Sequence, residues 1–116
     1  MTTDNEEHLT PVGVLLRVQH LLAQARDEAT ARARTSTDPD VVHLAFALTC
    51  LHGQALQLLP EPVRGLLSHV PHPTGADPLA LARSAERATR SLPAHQLPPG
   101  TATLVVRLID TIRDQP

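Results

Sequence analysis

Eleven prolines in a chain of 116 residues limit where regular structure can form. Proline lacks a backbone N–H and interrupts a helix from within, yet it fits the first helical turn, where that N–H has no partner. Three prolines directly follow a residue that caps helices well: Thr10-Pro11, Asp38-Pro39 and Asp77-Pro78. These pairs predict three helix starts, because Thr and Asp side chains accept hydrogen bonds from the free N–H groups of the first turn.

The segment after Thr10-Pro11 predicts a long amphipathic helix. Apolar residues recur in it at three- and four-residue spacing: Val12, Leu15, Leu16, Val18, Leu22, Ala25, Ala29 and Ala33. The opposite face carries Asp27 and Glu28, which we expect to lie in solvent. The alanine-edged side offers a flat face that a second copy of the chain would cover.

The segment from Val41 to Leu59 is apolar on nearly every side, which is typical of a helix at the centre of a bundle. It holds Phe46, which is the only Phe, Tyr or Trp of the chain. We therefore expect Phe46 to anchor the core. Cys50 is expected to be a buried structural thiol, because free cysteines are among the most buried residues.

The second half of the chain predicts shorter elements. In order they are a short helix over 62–70, the longest loop over 70–77, an alanine-rich helix from Asp77-Pro78, and a final helix capped by Thr101 or Thr103. Because residues 103–106 include β-branched side chains, a β-strand is an alternative prediction for that segment. The sequence thus predicts one all-α domain over residues 10–114, a compact bundle of four to five helices that is monomeric or homodimeric, after a disordered tail over 1–9.

Charge and composition exclude several functions. The net charge is −2, the pI is about 6.4, and all ten basic residues are Arg. No lysine is present for Schiff-base or P-loop chemistry, no aromatic surface for base stacking, and no basic field for bulk nucleic-acid binding. We predict a cytoplasmic protein, because the chain has a single cysteine and no signal peptide. We predict no membrane association, because the richest apolar run is too short to cross a bilayer. Arginine and alanine without lysine are typical of high-GC bacterial genomes.

The seven histidines are candidates for metal binding and for acid–base chemistry near neutral pH. His43, inside the apolar segment, and His20, on the first helix, are candidates for a pocket residue that binds or protonates a ligand; the alternative is a hydrogen-bonded core histidine. His69 and His72 lie among prolines with no acid or thiol to complete a ligand set, so neither a metal nor a cofactor is predicted. His43 and His52 flank Cys50 at the wrong spacing for a catalytic dyad.

Arg83, Arg87 and Arg90 recur at i, i+4 and i+7, which lines three guanidinium groups along one side of a helix. Guanidinium groups bind phosphate or carboxylate in a bidentate way, so this stripe is a candidate site for an anion or an acidic partner. The alternative is a solvated polar face.

The run Arg90-Ser91-Leu92-Pro93-Ala94-His95 resembles, in spacing, the Arg-four-residue-His motif of HEPN-domain ribonucleases. The resemblance covers six residues, with Pro93 inside the motif. It implies an all-helical dimer in which Arg90 and His95 act on RNA.

Three classes of function follow. The favoured one is a non-catalytic interaction or accessory module that binds a protein partner, or itself, through an apolar helix face. The second is a small ligand-binding or tailoring enzyme whose His/Arg pocket between helices takes an anion. The third is a contact with nucleic acid through the arginine stripe or the HEPN-like motif.

Overall fold

The computed structural model describes residues 10–115, and within them it is all-α, as predicted. The elements in chain order are α1 Pro11–Ala33, α2 Pro39–Leu58, α3 Glu61–Arg64, α4 Pro78–Thr89, a 3-10 turn Ala94–Gln96, and α5 Thr101–Arg113. The predicted tail over 1–9 lies outside the described residues.

The three predicted start signals all open helices. In each case the side chain before the proline accepts from a backbone N–H in the first turn: Gly13 donates to Thr10 at 3.0 Å, Asp40 to Asp38 at 2.9 Å, and Leu79 to Asp77 at 3.1 Å. Proline therefore directs helix initiation here, because its fixed φ suits the first turn.

Helix α1, and not α2, is the central helix. It packs against both α2 and α4, and eleven of its 23 residues are buried, against six of the 20 residues in α2. The small side chains of Ala23, Ala25 and Ala29 are all buried, and they let neighbouring helices approach α1 from more than one side. The apolar side of α1 that a second copy was expected to cover is therefore covered by the chain's own helices.

The core is built from aliphatic side chains of all four long helices. Its best-buried members are Leu15, Val18 and Leu22 of α1, Leu48 of α2, Ala82 and Ala85 of α4, and Leu104 and Leu108 of α5. Interiors are close-packed, so this small-residue core brings the helices close together.

By length and composition alone α2 could cross a membrane, a test that core helices of soluble proteins also pass.

The predicted short helix over 62–70 is wrong beyond its first turn. Helix α3 ends at Arg64 and buries no residue, so nothing stabilises its continuation. Residues 65–77 form one long connection, here called the 65–77 loop, and its Gly75 adopts a left-handed φ of 88°. Leu66 and Val70 project from this loop into solvent.

The segment 103–106, for which a β-strand was the alternative prediction, is helical and belongs to α5. The N-cap of α5 is Gly100, with a φ of 97°, and no side chain caps the first turn. The predicted caps at Thr101 or Thr103 are therefore wrong. A residue with a Cβ is strained at this φ, and a Cβ at Gly100 would also lie 3.0 Å from Leu58 Cδ2, which favours glycine at this position.

Candidate functional site

Two adjacent carboxylates of α1 are buried, although their helical positions predicted a solvated face. Asp27 and Glu28 are only 6% and 2% exposed. Burying an ionised carboxylate is costly unless it is paired and hydrogen-bonded. Both side chains meet this requirement through the 65–77 loop, which lies across them.

Glu28 holds the loop through its backbone. Its carboxylate accepts from the N–H of Thr74 at 2.6 Å, from the Thr74 hydroxyl at 3.1 Å, and from the N–H of Gly75 at 2.9 Å. The Thr74 backbone hydrogen bond contributes most to holding the pKa of Glu28 below its ordinary value; burial opposes it, and Gly75 and Arg32 add to it. Glu28 is therefore an ionised anchor for the loop.

Asp27 holds the same loop through a side chain. His69 Nε2 donates to Asp27 Oδ2 at 2.5 Å, and Arg26 donates to Oδ1 from Nε at 3.3 Å and from Nη2 at 3.2 Å. Burial alone would raise the pKa of the Asp27 carboxyl, but the hydrogen bonds and charges of His69 and Arg26 outweigh it and hold the pKa below the ordinary value.

His52 of α2 extends this cluster into the helix interface. Arg26 Nη1 donates to His52 Nδ1 at 3.0 Å, and since arginine is always a donor, the neutral ring carries its proton on Nε2. His52 Nε2 lies 3.1 Å from Gln19 Nε2, and since two donors cannot pair, the amide takes the flipped orientation in which its oxygen accepts. Burial, with the nearby Arg26 and His69, lowers the pKa of His52 from 6.5 to about 4, against the opposing effect of Asp27.

We refer to Gln19, Arg26, Asp27, Glu28, His52 and His69 as the clamp cluster. Beside it lies a cleft of about 380 Å³, lined by His20 and His72 together with Asp27 and His69. Within residues 10–115 no three His, Cys, Asp or Glu side chains are placed to hold a metal ion. Because its donors and acceptors are used within the chain, the cluster's clear physical role is to fix the 65–77 loop on α1.

One exposed apolar surface lies on α2. Val42 and Phe46 are 50% and 67% exposed, so the prediction that Phe46 anchors the core is wrong. With Thr49 and Gly53 they follow one another at helical spacing, and we refer to these four residues as the α2 face. The core side of α2 is filled by Leu44, Leu48 and Ala55, which leaves the ring of Phe46 on the opposite side.

Two further predictions about α2 are wrong for the same reason. Cys50 is exposed and not buried, and His43 is also exposed. His43 and His20 are not brought together, because α1 and α2 run antiparallel, with His52 beside Gln19. Cys50 instead borders a groove of about 270 Å³ between α2 and α5, which Arg107, Asp110 and Asp114 also line.

A cleft of about 650 Å³ lies between the end of α4 and the start of α5. Arg90 and His95, the two residues of the HEPN-like motif, both line it. Arg90 donates to Glu86 at 2.9 Å. Arg83 and Arg87, the other members of the arginine stripe, are exposed on α4, where Arg87 donates to Ser84 at 3.0 Å.

Sequence reasoning missed the clamp cluster, because polar residues on an amphipathic helix normally face water. One signal was available. Gln19 and Arg26 are seven residues apart and thus share a face of α1 with the buried Leu22 and Ala23 between them. A long loop without apolar periodicity also needs polar anchors, which Asp27 and Glu28 provide.

Comparison with known proteins finds no matching family model, no matching curated protein and no matching solved structure.

Proposed function

We propose that this chain is a non-catalytic protein-interaction module that binds a helix of its partner across the α2 face. The observation that carries the proposal is the exposed position of Phe46, the only Phe, Tyr or Trp in the chain. Aromatic side chains contribute strongly to binding energy when a partner buries them, and a helix in contact with a helix face is a common recognition mode.

The charge distribution of α2 supports this proposal. No Asp, Glu, Lys or Arg occurs between Asp40 and Glu61, so the whole α2 face is uncharged. The neighbouring groove between α2 and α5, which Cys50 also lines, contains the charged residues Arg107, Asp110 and Asp114. An apolar centre with a polar rim is the usual composition of a protein interface. A cytoplasmic location accords with the single free thiol.

The lone cysteine provides a direct test. A benzophenone maleimide on Cys50 places a photoreactive group beside Phe46 and Gly53. We expect irradiation to yield a covalent adduct with another polypeptide chain, and Phe46→Ala to reduce its yield at least tenfold, because truncation removes most of the buried apolar area. The readout is adduct mass by mass spectrometry.

The matched control for this experiment moves the label from α2 to the segment after α4. A Cys50→Ser variant that carries the maleimide at Ser91→Cys, which is exposed after α4, should give no Phe46-dependent adduct. If the Cys50 label forms no adduct with any chain, or one that Phe46→Ala leaves unchanged, the proposal is wrong.

The cleft of Arg90 and His95 favours a second candidate, an anion-binding pocket. A guanidinium group, an imidazole and the uncapped first turn of α5 all border the same space, which has aliphatic walls from Leu92, Leu97 and Val105. Each of these three features is suited to bind an oxyanion.

Calorimetric titration with inorganic pyrophosphate tests this pocket. We expect Arg90→Gln to weaken binding about tenfold, since it removes the charged bidentate donor. Arg83→Gln, on the same helix but outside the cleft, should leave the affinity unchanged. Equal losses in both variants would indicate general charge attraction and no pocket.

A further inference from the structure

We infer that the partner of the α2 face is a second copy of this chain, bound antiparallel across a two-fold axis between Thr49 and Cys50. This inference rests on the proposed function and specifies the occupant of the same surface. The observation behind it is that the α2 face has both a protruding side chain and an open position that could receive the same side chain from a second copy.

The protruding side chain is Phe46 and the open position is Gly53. A Cβ at Gly53 would have nothing within 4 Å, so the surface there is free to receive a side chain. The two residues are seven positions apart, about two helical turns, and share one face. In an antiparallel pair centred midway between them, the Phe46 ring of each copy lies on Gly53 of the other, and both contacts form at once.

Glycine at this position also permits close approach. Helix axes in packed pairs lie about 8–10 Å apart, and the shorter distances require small residues at the contact. Thr49, at the centre of the face, is small, and its hydroxyl donates to the Ala45 carbonyl at 2.8 Å, so the face presents no unpaired hydroxyl proton to a partner. The two copies thus meet along Phe46, Thr49 and Gly53.

The charges beside the face favour self-association. The groove between α2 and α5 contains both signs, with Arg107 next to Asp110 and Asp114. A two-fold axis perpendicular to α2 keeps the α5 helices of both copies on the same side. Gly100 lies beside Leu58, and Arg107 and Asp110 line the groove with Cys50, so α5 runs antiparallel to α2 and these two charged residues, about one turn apart, lie on either side of the level of the axis. Arg107 of one copy then faces Asp110 of the other, and an isologous interface requires such self-complementarity.

Five proteins test the arrangement by sedimentation velocity over a concentration series. The wild type is expected to dimerise reversibly. Phe46→Ala removes the ring and Gly53→Phe fills the open position, so each should weaken dimerisation at least tenfold. The double variant Phe46→Ala/Gly53→Phe exchanges ring and open position, and should recover most of the dimer. Val106→Ala, an exposed valine of α5 outside the groove, is the control and should change nothing.

Cys50 reports the orientation. A short bismaleimide should join two wild-type chains through Cys50, since this residue lies beside the axis in both copies, and Phe46→Ala should abolish the product. Thermal unfolding by circular dichroism shows whether each variant remains folded, which is expected because both substituted positions face solvent or open space.

Failures of the two proposals are distinguishable. A wild type that stays monomeric at hundreds of micromolar and gives no Cys50–Cys50 product overturns the dimer, and so does a dimer that Phe46→Ala leaves intact. If a monomeric protein still gives a Phe46-dependent photoadduct whose mass shows a different chain, the interaction function stands and self-association alone is wrong. If the double variant stays monomeric while both single variants are folded, the antiparallel contact is wrong.

Discussion

Replacing Glu28 with alanine is expected to lower the free energy of unfolding by about 3 kcal/mol. The carboxylate accepts three hydrogen bonds from the 65–77 loop. Each hydrogen bond to a charged group contributes about 1.5–3 kcal/mol, and neighbouring bonds together contribute less than the sum of their separate values. The substitution also leaves a small cavity beside α1, where Glu28 is 2% exposed. Urea denaturation at pH 7 measures the change.

The same variant should release the loop before the rest of the chain unfolds. Leu66 and Leu67 are exposed in the loop and provide cleavage sites for chymotrypsin. With Glu28→Ala, cleavage there should be at least tenfold faster under native conditions, because loop opening no longer breaks the Glu28 hydrogen bonds. Glu28→Gln, which keeps an acceptor oxygen without the charge, should fall between wild type and Glu28→Ala.

Glu86→Ala is the matched control for Glu28→Ala. Its carboxylate pairs with Arg90 at 2.9 Å, but that guanidinium is largely exposed, and exposed i,i+4 pairs contribute only about 0.3–0.5 kcal/mol. Cleavage in the loop should be unchanged in this variant. If Glu28→Ala has the stability and the cleavage rate of the wild type, the loop is not held by Glu28.

Acidification from pH 7 to pH 5 is expected to destabilise the protein by about 2 kcal/mol through His52 alone. Its pKa is about 4 in the folded protein against an ordinary value of 6.5, so the unfolded chain binds the proton more tightly. The contribution is fully present above pH 6.5 and is lost as the pH falls from 6.5 towards 4. Protonation also breaks the Arg26 hydrogen bond, because Nδ1 no longer accepts.

Asp27 and Glu28 act in the same direction at lower pH. Their pKa values are held below the ordinary ones, so the stability they contribute is lost only as the pH falls below about 4.5. Urea midpoints at pH 7, 6 and 5 isolate His52, and His52→Gln should remove most of the slope in that range. His43→Gln, at an exposed position on the same helix, should leave the slope unchanged. A wild-type midpoint that does not move between pH 7 and 5 contradicts the buried neutral state of His52.

The sequence predicted the helices better than the surroundings of their side chains. Start signals at Pro11, Pro39 and Pro78 were correct because capping and proline act within one turn. The positions of Phe46, Cys50 and His43 were wrong because a helix that is apolar all round does not indicate which side its neighbours cover.

Local chemistry in the sequence determined where helices begin, that the class is all-α, and that the core is aliphatic, since only one Phe, Tyr or Trp is present. Tertiary structure alone decided which helix is central. It turned Asp27 and Glu28 inward, because the 65–77 loop supplies donors from residues more than 40 positions away. It also left Phe46 outside, because α1 and α5 cover only part of α2. Burial depends on which elements pack together, and that depends on contacts between residues far apart in the chain.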